Sequence, residues 1–393
     1  MASALGPESL FFSLLVIFTG AALLATLALF ARQALPVAYI TLGVLIGPTG
    51  LDLLGEPAAV RQMSEIGIIM LLFLLGLDLT PQDLLHMLRQ TTLITVASSV
   101  VFALLAALLA AGFGFGPTDC LLIGAAAMFS STIIGLKLLP TTALHHQHTG
   151  ELIISILLLQ DLIAIAILLL LAGFGSSGFS WASLGLLLFG LPLLVGAVFL
   201  FERYVLIRLI RKFDKIREYI FLAAIGWCLG VAELGAVLGM SHEIGAFIAG
   251  VALASNPIAL YIADSLRPLR DFFLVLFFVA LGAGFDLSML PAVALPAALL
   301  ALLLMVAKPL TFRWLLVRSG EKPKTALEVG VRLGQISEFS LLIGVLALES
   351  ALLSARASYL IQTATLLSFI VSTYVIVLNF PTPVAVSDRL RRD

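Results

Sequence analysis

The sequence predicts an all-α polytopic membrane protein, and its composition and segment pattern lead to this fold class. Of the 393 residues, 61% are hydrophobic and only 11% are charged, a balance that soluble domains of this length do not show. The apolar residues form long runs between short segments rich in proline, glycine or charge. Because a bilayer core about 30 Å thick needs roughly 20 apolar residues per helix, one transmembrane domain, 1–393, is expected to hold about a dozen spans.

The apolar runs predict about thirteen transmembrane helices. The first run, from Phe11 to Ala31, has no basic segment before it and is therefore predicted to be a retained span rather than a signal peptide. The predicted helices cover residues 8–31, 35–49, 63–79, 91–113, 118–138, 149–172, 182–207, 216–238, 240–256, 269–285, 292–315, 325–350 and 358–381.

The basic residues of the loops predict the orientation of the chain in the membrane. Cytoplasmic loops carry an excess of Lys and Arg, and with the N-terminus outside only Arg61 and Arg356 fall on the outer side. We therefore expect an outer N-terminus and a cytoplasmic C-terminus in the cell inner membrane. The residues on the predicted cytoplasmic side are Arg32, Arg89, Arg203, Arg208, Arg211, Lys212, Lys215, Arg217, Arg267, Arg270, Arg313, Arg318, Lys322, Lys324, Arg389, Arg391 and Arg392.

A short motif recurs in the two halves of the chain. The segment from Phe73 to Asp78 resembles the segment from Phe278 to Asp286, in the third and tenth predicted helices. Since seven helices separate the copies, they point in opposite directions across the membrane, as an inverted-topology repeat requires. We expect one repeat at about 35–172 and a second at about 240–381, with the substrate site near the membrane midplane between them. Chance similarity between glycine-rich apolar segments is the alternative.

Two predicted helices carry polar segments at matching positions of the two repeats. The fifth contains Ser130-Ser131-Thr132, and the twelfth contains the run from Gly334 to Ser340. Serine and threonine in a single membrane helix usually serve helix packing. Their paired occurrence instead favours two crossing, broken helices, because unwound backbone in a membrane must line a cavity or be capped by polar side chains.

Asp161 lies in the middle of the uncharged sixth helix, next to Gln160. Acidic residues inside a membrane are costly and usually serve transport, although a structural ion pair with Lys308 is an alternative. A single carboxylate that holds either a proton or a cation is sufficient for exchange. The amide oxygen of Gln160 and the oxygens of Ser130, Ser131 and Thr132 would complete a site for a hard cation such as K⁺ or Na⁺.

Other features of the sequence indicate no further chemistry. The net charge of −1 gives no sign of a nucleic-acid partner. Cys120 and Cys228 are predicted to be separate buried thiols. The run His145-His146-Gln147-His148 is predicted to be a solvated loop, with metal binding or pH sensing as alternatives. We expect no resident metal, no cofactor and no enzyme activity, since the sequence shows neither a catalytic Ser with His nor a zinc-binding motif.

The pattern Ser130-Ser131-Thr132, Gln160-Asp161 and Gly334-Gln335-Ile336-Ser337-Glu338 resembles the cation:proton antiporter-2 family. Gln-Asp in place of two acids resembles its Kef-type potassium efflux branch. The resemblance extends over nearly the whole chain and includes the glycine-rich segments 42–48 and 245–251. It implies a homodimer in the lipid bilayer, in which each protomer has a dimerisation domain and a mobile core domain that carries the ion.

The resemblance also assigns roles to site residues. Asp161 would carry the proton and the cation, with Gln160 beside it. Lys308 stands where relatives with two acids keep a lysine that pairs with the first acid. Since that acid is Gln160 here, Glu338 or Asp161 could partner Lys308, or Lys308 could be a permanent structural charge.

Kef-type transporters usually continue into a cytosolic nucleotide-binding domain, whereas this chain ends at Asp393 soon after its last predicted helix. We expect no cytosolic regulatory domain in this chain, with either a missing domain, a separate regulatory subunit or a loss of that control as the explanation. The function that we predict is electroneutral exchange of a monovalent cation, with K⁺ favoured over Na⁺, for H⁺ by alternating access. A Na⁺/H⁺ antiporter of the same fold and a cation channel are the alternatives.

Overall fold

A computed structural model of the chain describes residues 10–54, 57–78, 81–138, 148–173, 181–213, 216–238 and 242–382. These residues fold into α-helices joined by short turns. A π-helical turn spans Glu202–Leu206, and a 3-10 turn spans Leu287–Met289. The helices are α1 (Leu10–Phe30), α2 (Leu35–Ile46), α3 (Pro57–Asp78), α4 (Pro81–Gly112), α5 (Pro117–Ala127), α6 (Thr132–Lys137), α7 (His148–Gly173), α8 (Trp181–Phe201), α9 (Ile207–Lys212), α10 (Arg217–Val237), α11 (His242–Ala254), α12 (Ile258–Ala283), α13 (Leu290–Arg318), α14 (Pro323–Arg332), α15 (Glu338–Glu349) and α16 (Ala355–Asn379).

Each predicted helical range overlaps helix in this structure, and the fifth and twelfth ranges are each divided into two helices. The predicted all-α fold with two broken helices is therefore confirmed, whereas the count of thirteen spans stays a prediction. Within the described residues, six helices are long and apolar enough to cross a membrane. Their ranges are Leu10–Phe30, Thr91–Gly112, His148–Leu168, Arg217–Val237, Leu287–Arg318 and Ala355–Asn379.

The chain divides into two compact units that share several helices. The first unit contains Met1–Ala22, Tyr39–Leu85 and Leu169–Gly284. The second contains Leu23–Ala38, His86–Leu168 and Phe285–Asp393. All the residues that the sequence predicts for ion binding lie in the second unit.

Close glycine contacts hold helices of the first unit together. A Cβ atom on Gly250 of α11 would lie 2.1 Å from the carbonyl oxygen of Phe73 in α3, and one on Gly76 would lie 2.5 Å from that of Phe247. The same arrangement recurs between α2 and α12, where a Cβ on Gly282 would lie 2.1 Å from the carbonyl oxygen of Ile40. The proposed repeat equates α2 with α11 and α3 with α12, so the two crossings relate equivalent pairs of helices. This agreement supports the repeat, whose boundaries stay a prediction.

Replacing Gly250 by alanine should destabilise the first unit. The added methyl would meet only backbone atoms of α3, so two helices would have to separate, at a cost of about 1–3 kcal/mol. Gly226→Ala in α10 is the matched control, because a Cβ there meets nothing within 4 Å. We expect a lower apparent Tm in detergent for Gly250→Ala and an unchanged or higher one for Gly226→Ala. Equal Tm values for the two variants would contradict the close crossing.

Helices of the second unit pack around α13, which contacts α14 and α16. Arg332, at the end of α14, is 1% exposed and donates to the carbonyl oxygens of Leu138 at 2.9 Å and Pro381 at 2.8 Å. Its Nε also donates to the carboxylate of Glu328 at 3.0 Å. The buried guanidinium thus has partners on several sides, as a buried charge requires. It ties α14 to the ends of α6 and α16.

Candidate ion-binding site

The first break separates α5 from α6 within the predicted fifth helix. Residues 128–131 leave the helical path, and α6 begins at Thr132. The hydroxyl of Ser131 accepts a hydrogen bond from the backbone N–H of Ile134 at 3.1 Å, which is the geometry of an N-cap. Because serine side chains satisfy the free N–H groups at a helix start, Ser131 explains why the second half-helix begins here.

The second break separates α14 from α15 within the predicted twelfth helix. Residues 333–337 are non-helical, and α15 begins at Glu338. Ser337 is the N-cap of α15, and its hydroxyl accepts from the N–H of Phe339 at 3.1 Å. Both second half-helices therefore start with a serine cap at a fully buried position.

The two breaks cross and are hydrogen-bonded to each other. The hydroxyl of Ser130 donates to the carbonyl oxygen of Leu333 at 2.8 Å. The side-chain NH₂ of Gln335 donates to the carbonyl oxygen of Ser131 at 3.3 Å. Such side chains supply the partners that unwound backbone in a membrane needs.

Lys308 lies at this crossing and is 0% exposed. Its Nζ donates to the carbonyl oxygens of Phe129, in the first break, and of Gln335 at 2.9 Å, in the second. The hydroxyl of Ser130 accepts from Nζ at 3.4 Å, and Nζ lies 5.3 Å from the ring centroid of Phe102. Lys308 therefore directs its donors to oxygens of the two breaks, and this arrangement favours the structural interpretation of its charge.

Gln160, which is also 0% exposed, reaches the first break from α7. Its side-chain oxygen accepts from the N–H of Ser130 at 3.0 Å, and its NH₂ donates to the carbonyl oxygen of Met128 at 3.1 Å. A neutral amide can fill both places at once, because it offers a donor and an acceptor. Gln160 thus supports the unwound backbone, and the expectation that its oxygen also binds a cation stays a prediction.

Asp161 is 1% exposed and faces the start of α6. The hydroxyl of Thr132 lies 3.3 and 3.4 Å from the two carboxylate oxygens. One neutral hydroxyl offsets little of the cost of burying an ionised carboxylate, which is on the order of several kcal/mol. Proton binding or cation binding would neutralise this group, so the position suits an exchangeable site.

A second buried acid, Glu338, lies in the first turn of α15 and is 6% exposed. Its carboxylate is close enough to Asp161 for the two negative charges to interact. The site therefore contains two carboxylates from different helices. An ion pair between Glu338 and Lys308 was one of the alternatives that the sequence left open, and it stays untested.

Further residues complete the site, and the sequence did not predict this role for them. Ser368 and Ser372 of α16 bind the second break: the hydroxyl of Ser368 accepts from the N–H of Ile336 at 3.0 Å, and that of Ser372 donates to the side-chain oxygen of Gln335 at 2.9 Å. The hydroxyl of Ser340 donates to the carbonyl oxygen of Ala126, where α5 ends. The sequence signal for Ser368 and Ser372 was the density of Ser and Thr in the last predicted helix, and Ser340 ends the polar run that begins at Gly334.

The histidine run is only partly visible, since His145, His146 and Gln147 lie outside the described residues. His148 begins α7, and its Nε2 lies 2.8 Å from a carboxylate oxygen of Glu321. Among the residues that the structure describes, no cluster of three or more His, Cys, Asp or Glu side chains could hold a metal ion. Cys120 and Cys228 are both free thiols, and the predicted burial holds for Cys228, whereas Cys120 is only half-buried.

Two helices are each divided into halves by an unwound segment, and the two unwound segments cross beside a buried carboxylate. This arrangement defines the sodium/proton antiporter class of membrane-protein folds. Two solved structures of the sodium proton antiporter MjNhaP1 from Methanocaldococcus jannaschii have this fold. One, at pH 8, is 18% identical with a TM-score of 0.64, and the match covers 92% of this chain and 95% of that chain. The other is 19% identical with a TM-score of 0.63. At these identities the likeness shows the fold alone.

Residues 15–379 match the family described as sodium/hydrogen exchanger, transmembrane, and the chain belongs to this family. It is an integral membrane protein, and the predicted membership of the Kef-type branch of the cation:proton antiporter-2 family is confirmed. A protein of Alkalimonas amylolytica named "Putative K(+) efflux antiporter KefB" is 32% identical over 89% of this chain. The iron transporter MagA of Paramagnetospirillum magneticum is 28% identical over 87% of this chain and 79% of its own length. The chain spans about half, 54%, of the KefB relative.

Proposed function

We propose that this chain exchanges a monovalent cation for a proton across the membrane by alternating access, with Asp161 as the shared carrier. The observation that carries the proposal is the buried Asp161 carboxylate of α7, which faces the start of α6 and has the Thr132 hydroxyl as its one hydrogen-bond partner among the described residues. A buried carboxylate in this position is stabilised when it binds either a proton or a cation. Since one carboxylate cannot be neutralised by both at once, the two ions compete for it, and competition is the basis of exchange.

The chemistry of the surrounding groups supports an alkali cation as the substrate. The groups that the structure places near Asp161 are the hydroxyl of Thr132 and the carboxylate of Glu338, both of them hard oxygen donors. Such donors suit Na⁺ and K⁺, whereas imidazole and thiolate ligands suit transition metals. We favour K⁺ because of the Gln160-Asp161 pair and the potassium named for the KefB relative. The iron named for MagA is the more distant alternative.

The assembly and orientation follow the same proposal. We infer a homodimer formed through the first unit, with the second unit moving the ion between the two faces, because all candidate site residues lie in the second unit. The N-terminus would lie outside and the C-terminus in the cytoplasm, as the loop charges predict. A cytosolic domain or subunit of the kind that Kef-type relatives carry would act from that side.

Proteoliposomes that contain the purified chain and a pH-sensitive dye test the function. With the membrane potential held near zero by a permeant anion, an imposed K⁺ gradient should move protons in the opposite direction. Na⁺, Li⁺ and Rb⁺ in the same preparation rank the substrates. Cation flux without proton movement would instead indicate a channel, and the absence of any alkali-cation flux would contradict the proposal.

A further inference from the structure

Buried hydroxyl groups of α16 fall into two sets. Those of Thr365 and Thr373 donate to carbonyl oxygens of α16 itself, Ile361 at 2.7 Å and Phe369 at 2.8 Å. Ser368 and Ser372 instead reach the second break, where Ser368 accepts from Ile336 and Ser372 donates to Gln335. Ser368 also donates to the carbonyl oxygen of Thr365 within α16 at 2.8 Å, so that of these two hydroxyls the one of Ser372 donates to the break. The hydroxyl of Ser372 thus donates to a residue outside α16, whereas that of its neighbour Thr373 donates within α16.

The partner of Ser372 is the side chain of Gln335, which is completely buried and connects several parts of the site. The Gln335 oxygen accepts from the Ser372 hydroxyl at 2.9 Å, and its NH₂ donates to the Ser131 carbonyl oxygen at 3.3 Å. The backbone carbonyl of the same residue accepts from Lys308. Because a carbonyl oxygen can only accept, Ser131 requires the NH₂ end of the amide, and the oxygen end then requires the donor that Ser372 supplies.

Ser131 immediately precedes Thr132, a residue of the ion site, in the sequence. Ser131 caps α6, and the next residue, Thr132, donates its hydroxyl to Asp161. A hydrogen-bonded path therefore leads from Ser372 through Gln335 to Ser131 and, through the chain, to Thr132 and Asp161. Neither Ser372 nor the Gln335 side chain has a hydrogen bond to Asp161 among the described contacts, so their influence on it is indirect.

We propose that Gln335 and Ser372 are positioning residues that fix the first break, so that α16 sets the geometry of the cation site without contacting the ion. This inference rests on the proposed role of Asp161. Loss of the Ser372 hydroxyl leaves the Gln335 oxygen buried without a donor, and a buried polar atom without a hydrogen bond is energetically unfavourable. The amide then reorients, the Ser131 carbonyl loses its partner, and the cation is bound less well.

Ser372→Ala tests this path of hydrogen bonds from Ser372 through Gln335 to Ser131, which we call the relay. Thr373→Val is the matched control, because it removes a hydroxyl that donates within α16. In proteoliposomes, Ser372→Ala should raise the KM for the cation about fivefold with a smaller change in the maximal rate, whereas Thr373→Val should leave the KM unchanged. Gln335→Met removes the amide at similar size, and it should raise the KM at least as much. The double variant should be no worse than Gln335→Met alone, because both changes interrupt one path.

Hydrogen exchange of the purified full-length chain gives a readout that does not depend on transport. Peptides that cover residues 129–134 should exchange severalfold faster in Ser372→Ala than in wild type or Thr373→Val. If wild type does not transport but this difference is present, the proposed function fails and the relay stands. If wild type transports while Ser372→Ala matches Thr373→Val in KM and in hydrogen exchange, the relay is wrong. Additive effects of Ser372→Ala and Gln335→Met on KM would overturn it as well.

Discussion

Replacing Asp161 by asparagine should reduce cation-dependent proton transport to the background of empty liposomes while the protein stays folded. The asparagine amide has nearly the size of the carboxylate, and its oxygen can still accept from the Thr132 hydroxyl at 3.3–3.4 Å. It can neither take up a proton near neutral pH nor balance the charge of a cation. Under the proposed mechanism both halves of the exchange cycle are therefore lost together, and dye-loaded proteoliposomes measure this directly.

Asp119→Asn is the matched control for this prediction. Asp119 lies in the first turn of α5, in the same unit, and its carboxylate accepts from the N–H of Ser354 at 2.9 Å and from the Ser354 hydroxyl at 2.6 Å. Its hydrogen bonds thus go to the residue that caps α16 and not to the residues around Asp161. Its replacement should lower stability slightly and leave exchange in place. Retained exchange in Asp161→Asn would remove Asp161 as the carrier and shift attention to Glu338.

Asp161→Glu refines the same prediction. The longer side chain keeps the exchangeable charge but moves it relative to Thr132, which is held by the start of α6. We expect partial activity with a changed dependence on pH. Full loss of activity would mean that the distance to the first break matters as much as the charge.

The positions of the breaks in the two helices could be predicted from the sequence, because unwound backbone inside a membrane requires polar residues, and these stand out in an apolar sequence. Ser130-Ser131-Thr132 and the run from Gly334 to Ser340 fall at the two breaks, and Ser131 and Ser337 prove to be the caps. Asp161 was equally visible, since a single acid in an apolar run has a high energetic cost. These features depend on local composition alone.

The partners of the buried charges could not be predicted in the same way. For Lys308 the sequence offered two acids, whereas the structure directs its Nζ to the carbonyl oxygens of Phe129 and Gln335. The sequence does not show which backbone carbonyl oxygens will accept hydrogen bonds from a buried side chain. The roles of Ser368 and Ser372 could not be predicted for a related reason. Serine in a membrane helix usually serves packing, and only the three-dimensional arrangement shows which serines reach a break.

Replacing Lys308 by glutamine should destabilise the chain more than any other substitution considered above. The shorter, neutral side chain leaves the carbonyl oxygens of Phe129 and Gln335 buried without their donor, at a cost of about 1–3 kcal/mol for each group. Lys324→Gln is the control, since Lys324 is exposed at the start of α14. We expect a marked fall in the apparent Tm for Lys308→Gln and none for Lys324→Gln. Equal Tm values would show that Lys308 does not hold the crossing.

Exchange itself should be electroneutral, one cation for one proton, because the donors of Lys308 serve neutral oxygens at the crossing and its charge is expected to stay constant through the cycle. With Glu338 also in one protonation state throughout, Asp161 alternates between a protonated and a cation-bound form of the same net charge. A membrane potential, worth about 2.3 kcal/mol per charge per 100 mV, should therefore not drive transport. Recordings on solid-supported membranes should show no sustained transport current in wild type or in the fraction of Lys308→Gln that remains folded. Sustained currents that grow with an imposed potential, and that disappear in Lys308→Gln, would instead identify Lys308 as a second titrating group.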